Sequence, residues 1–202
     1  MASDSENEDE NSISVKAILI GDVFVGKTSL INVSVGIDFN PKENATITST
    51  FVQKKITLDS QEYCINLWDT AGQEKLKALT KLFFKGSHVV IFVYDITDKR
   101  SFIGLQKWIV EVENILENKY VCGIVGNKQD LYSQEQVKEE EANEFADSKG
   151  MKFKLVSAKD NPKGFNDFLE ELVRDAKNIG IFEANRKISL KKQKKKKSKC
   201  NC

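Results

Sequence analysis

Gly21-Asp22-Val23-Phe24-Val25-Gly26-Lys27-Thr28 is the stretch that decides the fold. It has the form GxxxxGK[ST], follows the apolar, mostly β-branched run Ser14 to Ile20, and leads into Ser29-Leu30-Ile31, which opens a helix. Strand, glycine-bearing loop and helix in that order make a cradle for phosphate. Gly26 permits close backbone approach, Lys27 brings a point charge to the outer phosphates, the helix N-terminus adds a favourable dipole, and the Thr28 hydroxyl can ligate Mg²⁺.

Outward from this loop, further β-type runs lie at Phe51 to Leu58, Tyr63 to Trp68, Val89 to Tyr94, Val121 to Val125 and Lys152 to Val156. Helical spacing joins Leu105, Trp108, Ile109, Val112, Ile115 and Leu116, then Val137, Ala142, Phe145 and Ala146, then Phe165, Phe168, Leu169, Leu172, Val173 and Ala176. Strands alternating with helices predict an α/β domain with a mostly parallel sheet covered on both faces. Ligands of such sheets sit beyond the carboxyl ends of the strands.

The 202 residues accommodate one such domain. The composition, 40% hydrophobic and 30% charged, excludes a collagen, a disulfide scaffold and a wholly disordered chain. No run of 18 apolar residues occurs, and the acidic start at Asp4, Glu6, Glu8, Asp9 and Glu10 is unlike a secretory signal, so a cytosolic protein is expected. The net charge of +1 hides opposite ends: five acids and no base up to Ser12, nine bases and no acid from Ala184, and 22 bases against 25 acids between. The expected organisation is an acidic flexible arm at 1–12, a folded domain at 13–180 and a basic tail at 181–202.

The strands predict where the remaining chemistry lies. The third ends in Trp68-Asp69-Thr70-Ala71-Gly72-Gln73-Glu74, where Asp69 can hold a metal, Gly72 can offer its N–H to a terminal phosphate, and Gln73 can orient a water for in-line attack. Alone, an Asp after a strand is more often a turn residue. The fifth leads to Asn127-Lys128-Gln129-Asp130 and the sixth to Ser157-Ala158-Lys159. The Asp130 carboxylate can accept from the N1–H and 2-amino group of guanine, and the Lys128 and Lys159 stems can flank the ring, which selects GTP over ATP.

In this order and spacing, the phosphate loop, WDTAGQE, NKQD and SAK resemble the Ras superfamily of small GTPases, over about 13–180. Within it the Rab branch is matched best, by the WDTAGQE context, by Leu82-Phe83-Phe84-Lys85-Gly86 and by the ending Cys200-Asn201-Cys202. The resemblance implies a P-loop small GTPase fold, with a six-stranded mostly parallel sheet flanked by five helices. It implies nucleotide contacts from Asp22, Val23, Phe24, Val25, Gly26, Lys27, Thr28, Ser29, Phe39, Thr46, Gly72, Asn127, Lys128, Asp130, Ser157, Ala158 and Lys159. Thr28, Thr46 and Asp69 would be the Mg²⁺ ligands, and Gln73 with Lys27 the catalytic pair. Phe39 is placed to pack on guanine, the alternative being an ordinary buried ring. Ile47, Phe51, Trp68, Phe83 and Phe84 fall where Rabs present an apolar effector surface, core packing being the alternative.

The resemblance further implies geranylgeranylation of Cys200 and Cys202, with the lysine run reinforcing attachment to an anionic membrane. Expected partners are guanine nucleotide, an exchange factor, a GTPase-activating protein, a GDP-dissociation inhibitor or escort protein, and effectors. The expected localisation is cytoplasmic, cycling onto an intracellular membrane in vesicle trafficking. No nucleic-acid partner is expected, because no aromatic is interleaved with the lysines. Cys64 and Cys122 read as buried thiols and the sole His88 as inert. Val23 and Phe24 depart from the small residues common in the loop. They motivate an alternative, a slowly hydrolysing, persistently GTP-bound tethering module.

Overall fold

A computed structural model describes residues 12–44, 46, 50–70, 83–117 and 119–182. Six strands form one sheet: β1 (Ile13–Ile20), β2 (Thr50–Leu58), β3 (Gln61–Asp69), β4 (Val89–Asp95), β5 (Val121–Asn127) and β6 (Lys152–Leu155), in the spatial order β2-β3-β1-β4-β5-β6. All neighbours are parallel except β2 and β3, whose antiparallel register runs from Thr50 opposite Asp69 to Leu58 opposite Gln61. The hairpin turns on Asp59 and Ser60, both at positive φ (50° and 64°), the pairing that suits the twist of a two-residue connection.

Among the described residues the helices are α1 (Lys27–Ser34), α2 (Lys99–Ile115), a short 3-10 helix (Gln129–Gln134), α3 (Glu139–Ser148) and α4 (Pro162–Asn178). Their limits follow from local chemistry. The Asp98 carboxylate caps α2 by accepting from Arg100 N–H, and Asn161 caps α4 by accepting from Gly164 N–H with Pro162 in the first turn.

Alternation along β1 divides the core into two layers. Val15, Ala17 and Leu19 belong to the layer on the side of α1 and α4, with Leu30, Phe165, Phe168 and Leu172, whereas Ile18 and Ile20 belong to the layer on the side of α2 and α3, with Leu105, Ile109 and Ala146. Every residue of β4 is buried, as expected for a central strand covered on both faces. Each large aliphatic side chain so buried stabilises the fold by about 1.5–3 kcal/mol before entropy is counted. The effect on function is positional: β1, β3, β4, β5 and β6 all deliver their carboxyl ends to one rim of the sheet.

Cys64 and Cys122 are half-buried rather than enclosed, and neither forms a disulfide. Burial pushes the Cys122 thiol up to about 12, so it is not reactive at neutral pH. Among the described residues no helix is long and apolar enough to cross a membrane.

Candidate nucleotide site

A cleft of about 420 Å³ opens at the carboxyl rim, between the loop after β1 and the segments after β5 and β6. Its phosphate end is the turn from β1 into α1. Gly26 caps α1 at φ 93°, with no side chain accepting from the first N–H groups, which therefore remain for an anion. A Cβ at Gly26 would lie 2.3 Å from Asn127 Nδ2, so glycine here answers both to backbone angle and to space.

Lys27 is 5% exposed, and its ammonium donates to the carbonyls of Gly21 at 2.9 Å and Asp22 at 2.7 Å. Burial lowers its pKa to about 8, against an upward pull from Asp69 and Asp22. An anion bound beside it would favour the charged form.

Beside the lysine, three oxygens converge. Thr28 Oγ1 donates to Asp69 Oδ2 at 2.7 Å, Thr46 Oγ1 reaches the same oxygen at 3.0 Å, and the two hydroxyls are 2.7 Å apart. The other carboxylate oxygen, Asp69 Oδ1, is buried with no hydrogen-bond partner. One carboxylate and two hydroxyls are hard donors of the sort that hold Mg²⁺ together with phosphate oxygens, and an orphaned buried anion is the site such a cation would relieve. Among the described residues no group of three or more His, Cys, Asp or Glu offers another arrangement.

The opposite end of the cleft is held by side-chain ties. Asn127, 2% exposed at the end of β5, donates through Nδ2 to Val25 O at 2.9 Å and accepts at Oδ1 from Ala158 N–H at 3.2 Å. One amide thereby joins the phosphate loop to the segment after β6. Ser157 Oγ donates to Asp130 Oδ1 at 2.7 Å while accepting from Lys159 and Asp160 N–H at 3.2 and 2.9 Å. Asp130 is thus oriented by a neighbour, and its Oδ2 lies 3.9 Å from Lys159 Nζ. Lys128 is in the left-handed region at φ 68°, and its ammonium pairs with Asp95 Oδ2 at 2.6 Å. Asp95 in turn accepts from Thr97 N–H and Oγ1 at 2.8 and 2.7 Å. This wiring leaves the stems of Lys128 and Lys159 beside Asp130 along the cleft.

The Ras family pattern matches residues 16–178 of the chain. Ras-related protein Rab-21 of Geodia cydonium is 37% identical over 183 residues, spanning 91% of this chain and 77% of that protein. Human Rab-21 is 38% identical over 161 residues, 80% of this chain and 71% of its own, and human Ras-related protein Rab-30 is 34% identical over 165 residues, 80% and 81%. The chain is a Rab-family member of the Ras superfamily. Ras-family proteins bind guanine nucleotides and hydrolyse GTP, and this chain is a small GTPase.

For this Rab-type GTPase, the cleft brings together Val23, Phe24, Gly26, Lys27, Thr28 and Ser29 with Phe39, Thr46, Asn127, Lys128, Asp130, Ala158 and Lys159. Val25 is buried beneath the loop, where its carbonyl takes the Asn127 bond, and Ser157 acts on the cleft through Asp130. Phe39 is half-buried: it packs against the α1/α4 core layer and also lines the cleft. Phe24 is 70% exposed at φ 66°, a left-handed backbone that costs a bulky residue about 1–2 kcal/mol. Neither the geometry around Val23 and Phe24 nor the relatives support the persistently GTP-bound alternative.

On the far side of β3, Phe51 stacks on Trp68 at 5.0 Å and Trp68 meets Phe83 at 5.8 Å, with Phe51 49% exposed. Phe84 is a correction: it is fully buried in the α2/α3 core layer and presents no surface. Consecutive residues of a helical turn point about 100° apart, so only one of two adjacent rings can take the outer position. Gly72, Gln73, Ile47, Cys200 and Cys202 lie outside the described residues.

Sequence reasoning missed Asp95 and Thr70. Thr70 lines the cleft, its hydroxyl donating to Leu19 O at 2.6 Å, and its place next to Asp69 at a strand end was a usable signal. Asp95 also ends a strand, β4, and could have been found in the same way.

Proposed function

We propose that this GTPase is a membrane-associated switch in intracellular vesicle trafficking, which binds GTP, hydrolyses it to GDP and phosphate, and engages partners according to the nucleotide held. The observation that carries the reading is the convergence in one cleft of a phosphate-binding turn, a metal-competent oxygen cluster and an oriented carboxylate for the base.

Each part has a definite task. Asp130 accepts from the two donors on the guanine edge while Ser157 holds it in place, and adenine, which presents an acceptor at N1, is rejected. Phe39 covers the ring. The α1 N–H groups and Lys27 hold the outer phosphates, and Lys27 moves from the loop carbonyls to the ligand with its charge retained. Thr28, Thr46 and Asp69 are the residues that would hold Mg²⁺, which when bound neutralises charge on the phosphates. Gln73 orients the attacking water and Gly72 offers its N–H to the terminal phosphate. Little covalent work is asked of the protein, so turnover is slow until an activating protein supplies further positive charge.

The Phe51, Trp68 and Phe83 rings are the apolar face offered to effectors, and Ile47 is assigned to effector recognition from its place in the sequence alone. Prenylated Cys200 and Cys202 with the preceding lysines attach the chain to a membrane. A GDP-dissociation inhibitor or escort protein covers those lipids in the cytosol, and an exchange factor reloads GTP.

The test is fractionation of cells expressing the full chain or Cys200→Ser/Cys202→Ser, combined with phosphate release from purified protein given GTP. The expected result is membrane recovery of the parent, loss of it in the double variant, and equal GTP hydrolysis by both. Equal membrane recovery of the two chains, or no phosphate release from either, would overturn the reading.

A further inference from the structure

The phosphate loop carries an anion of its own. Asp22 follows Gly21 directly, which puts a carboxylate into the loop whose task is to attract phosphate. In the fold this carboxylate is turned the other way, and Asp22 is absent from the lining of the cleft. Its Oδ1 accepts from the indole Nε1–H of Trp108 at 2.8 Å, a contact across 86 residues of sequence. Trp108 is 6% exposed on the inward face of α2, beside Leu105, Ile109 and Val112. One turn earlier on the same face stands Gly104. A Cβ there would come within 2.9 Å of Asp22 Oδ2, so the bare backbone makes the room in which the second oxygen lies. Two positions four residues apart on one helix therefore form a fitted dock for a single carboxylate, one by donating a hydrogen bond and the other by having no side chain. The backbone of the same aspartate is engaged as well, its carbonyl taking Lys27 Nζ at 2.7 Å.

We infer that Trp108, with Gly104, is a positioning residue of the nucleotide site, which fastens the Asp22 carboxylate to α2 and so keeps a negative charge out of the phosphate cradle. The proposal rests on the phosphate loop holding a guanine nucleotide. It makes Trp108 a determinant of nucleotide retention although the indole lies outside the cleft. The physical basis is that a freed carboxylate repels phosphate across a low-dielectric site, where such repulsion is poorly screened.

The experiment loads the full chain with a fluorescent GDP analogue at fixed Mg²⁺ and follows its release into excess unlabelled GDP. Trp108→Phe preserves an aromatic ring in the core but removes the donor, and release is expected to be about tenfold faster, the equivalent of one hydrogen bond to a charged acceptor. Gly104→Ala pushes on the other oxygen with a residue that favours the helix, so faster release is expected with no loss of thermal stability. The decisive arm is Trp108→Phe/Asp22→Asn. If Trp108 acts by restraining a charge, removing the charge restores slow retention in the Phe background. Faster release that Asp22→Asn does not correct, or release at the parental rate in both Trp108→Phe and Gly104→Ala, overturns the proposal and leaves nucleotide binding intact. A parent chain that retains no guanine nucleotide overturns the reading beneath it and the proposal with it.

Discussion

The two ends of the parallel sheet are built on opposite terms. At the carboxyl end, Lys27, Asp69, Thr70, Asp95, Asn127 and Ser157 are buried polar side chains crowded around one cleft. Some are satisfied by each other, but Asp69 Oδ1 has no partner and Lys27 is desolvated with only carbonyls to hold it. At the amino end, Tyr63 of β3 and His88 before β4 pack on Phe182 at 5.5 and 5.7 Å, and His88 Nδ1 accepts the Lys16 N–H at 2.9 Å. One neutral hydroxyl there, Ser87 Oγ, is buried without a partner, but among the described residues no buried charge is left unpaired, and the rest of that end is closed by its own contacts. Burying a polar group without a partner costs about 1–3 kcal/mol, so the carboxyl end is stable in proportion to what it binds, whereas the amino end is a fixed cap.

The comparison is broken most directly at the base. Asp130→Asn puts an amide donor where guanine presents donors, and GTP affinity is expected to fall by about 10⁴-fold in a nucleotide competition assay, the scale on which a hydrogen-bonding site rejects a mismatched partner. Xanthosine triphosphate, which offers an acceptor at the 2-position, should gain affinity in return. Unchanged GTP binding would mean that Asp130 is oriented by Ser157 for stability alone. Next in size is Asn127→Ala. It cuts both ties between the phosphate loop and the segment after β6, at 2.9 and 3.2 Å, and leaves Val25 O and Ala158 N–H unpaired. Nucleotide affinity should drop about 100-fold and the folded state should lose about 2–3 kcal/mol, read by calorimetry with and without GDP.

Much of this was legible in sequence, for identifiable reasons. The β-branched run before Gly21 and the GxxxxGK[ST] spacing fix a strand, a turn and a helix within 20 residues, because all three signals are local. The antiparallel pairing of β2 was not legible. Its turn residues, Asp59 and Ser60, carry the positive φ that Asn-Gly or Asp-Gly would have advertised. The ties that finish the site are long-range: Asn127 to Val25, Trp108 to Asp22, and Lys128 to Asp95 each depend on which strand lies beside which. Periodicity marked Trp108 as a core residue, correctly, and could not say that its one polar atom serves the loop. Phe83 and Phe84 are alike in sequence, and only the direction of the turn that carries them separates a half-exposed ring from a buried one.

A smaller effect sharpens the carboxyl end itself. Asp69→Asn keeps an oxygen for Thr28 and Thr46 but removes the charge whose second oxygen is unpartnered. The Mg²⁺ concentration that half-maximally slows GDP release should rise about 10- to 100-fold, and adding a chelator should accelerate release far more in the parent than in the variant. If both chains respond equally to chelation, the three converging oxygens are a structural knot and the metal is held elsewhere.

The smallest effect belongs to the cap, and it tests whether that end is as self-contained as its contacts imply. His88 accepts a hydrogen bond at Nδ1, which requires the neutral ring, and burial, with a lesser push from the Lys16 charge, holds its pKa below the usual 6.5. The unfolded chain therefore binds the proton more readily than the folded one. The stability His88 contributes as a neutral acceptor is complete above pH 6.5 and is lost as the pH falls through the lower folded value. His88→Gln retains an acceptor for Lys16 N–H and cannot titrate. Urea unfolding of the GDP-bound parent should weaken between neutral pH and pH 5 by more than that of the variant. The difference should be the same at saturating and at limiting GDP, because the cap lies at the other end of the sheet from the nucleotide. A pH-dependent difference that grows or shrinks with GDP concentration would show that the two ends are coupled through β1 and β4, and that the division drawn between them is too sharp.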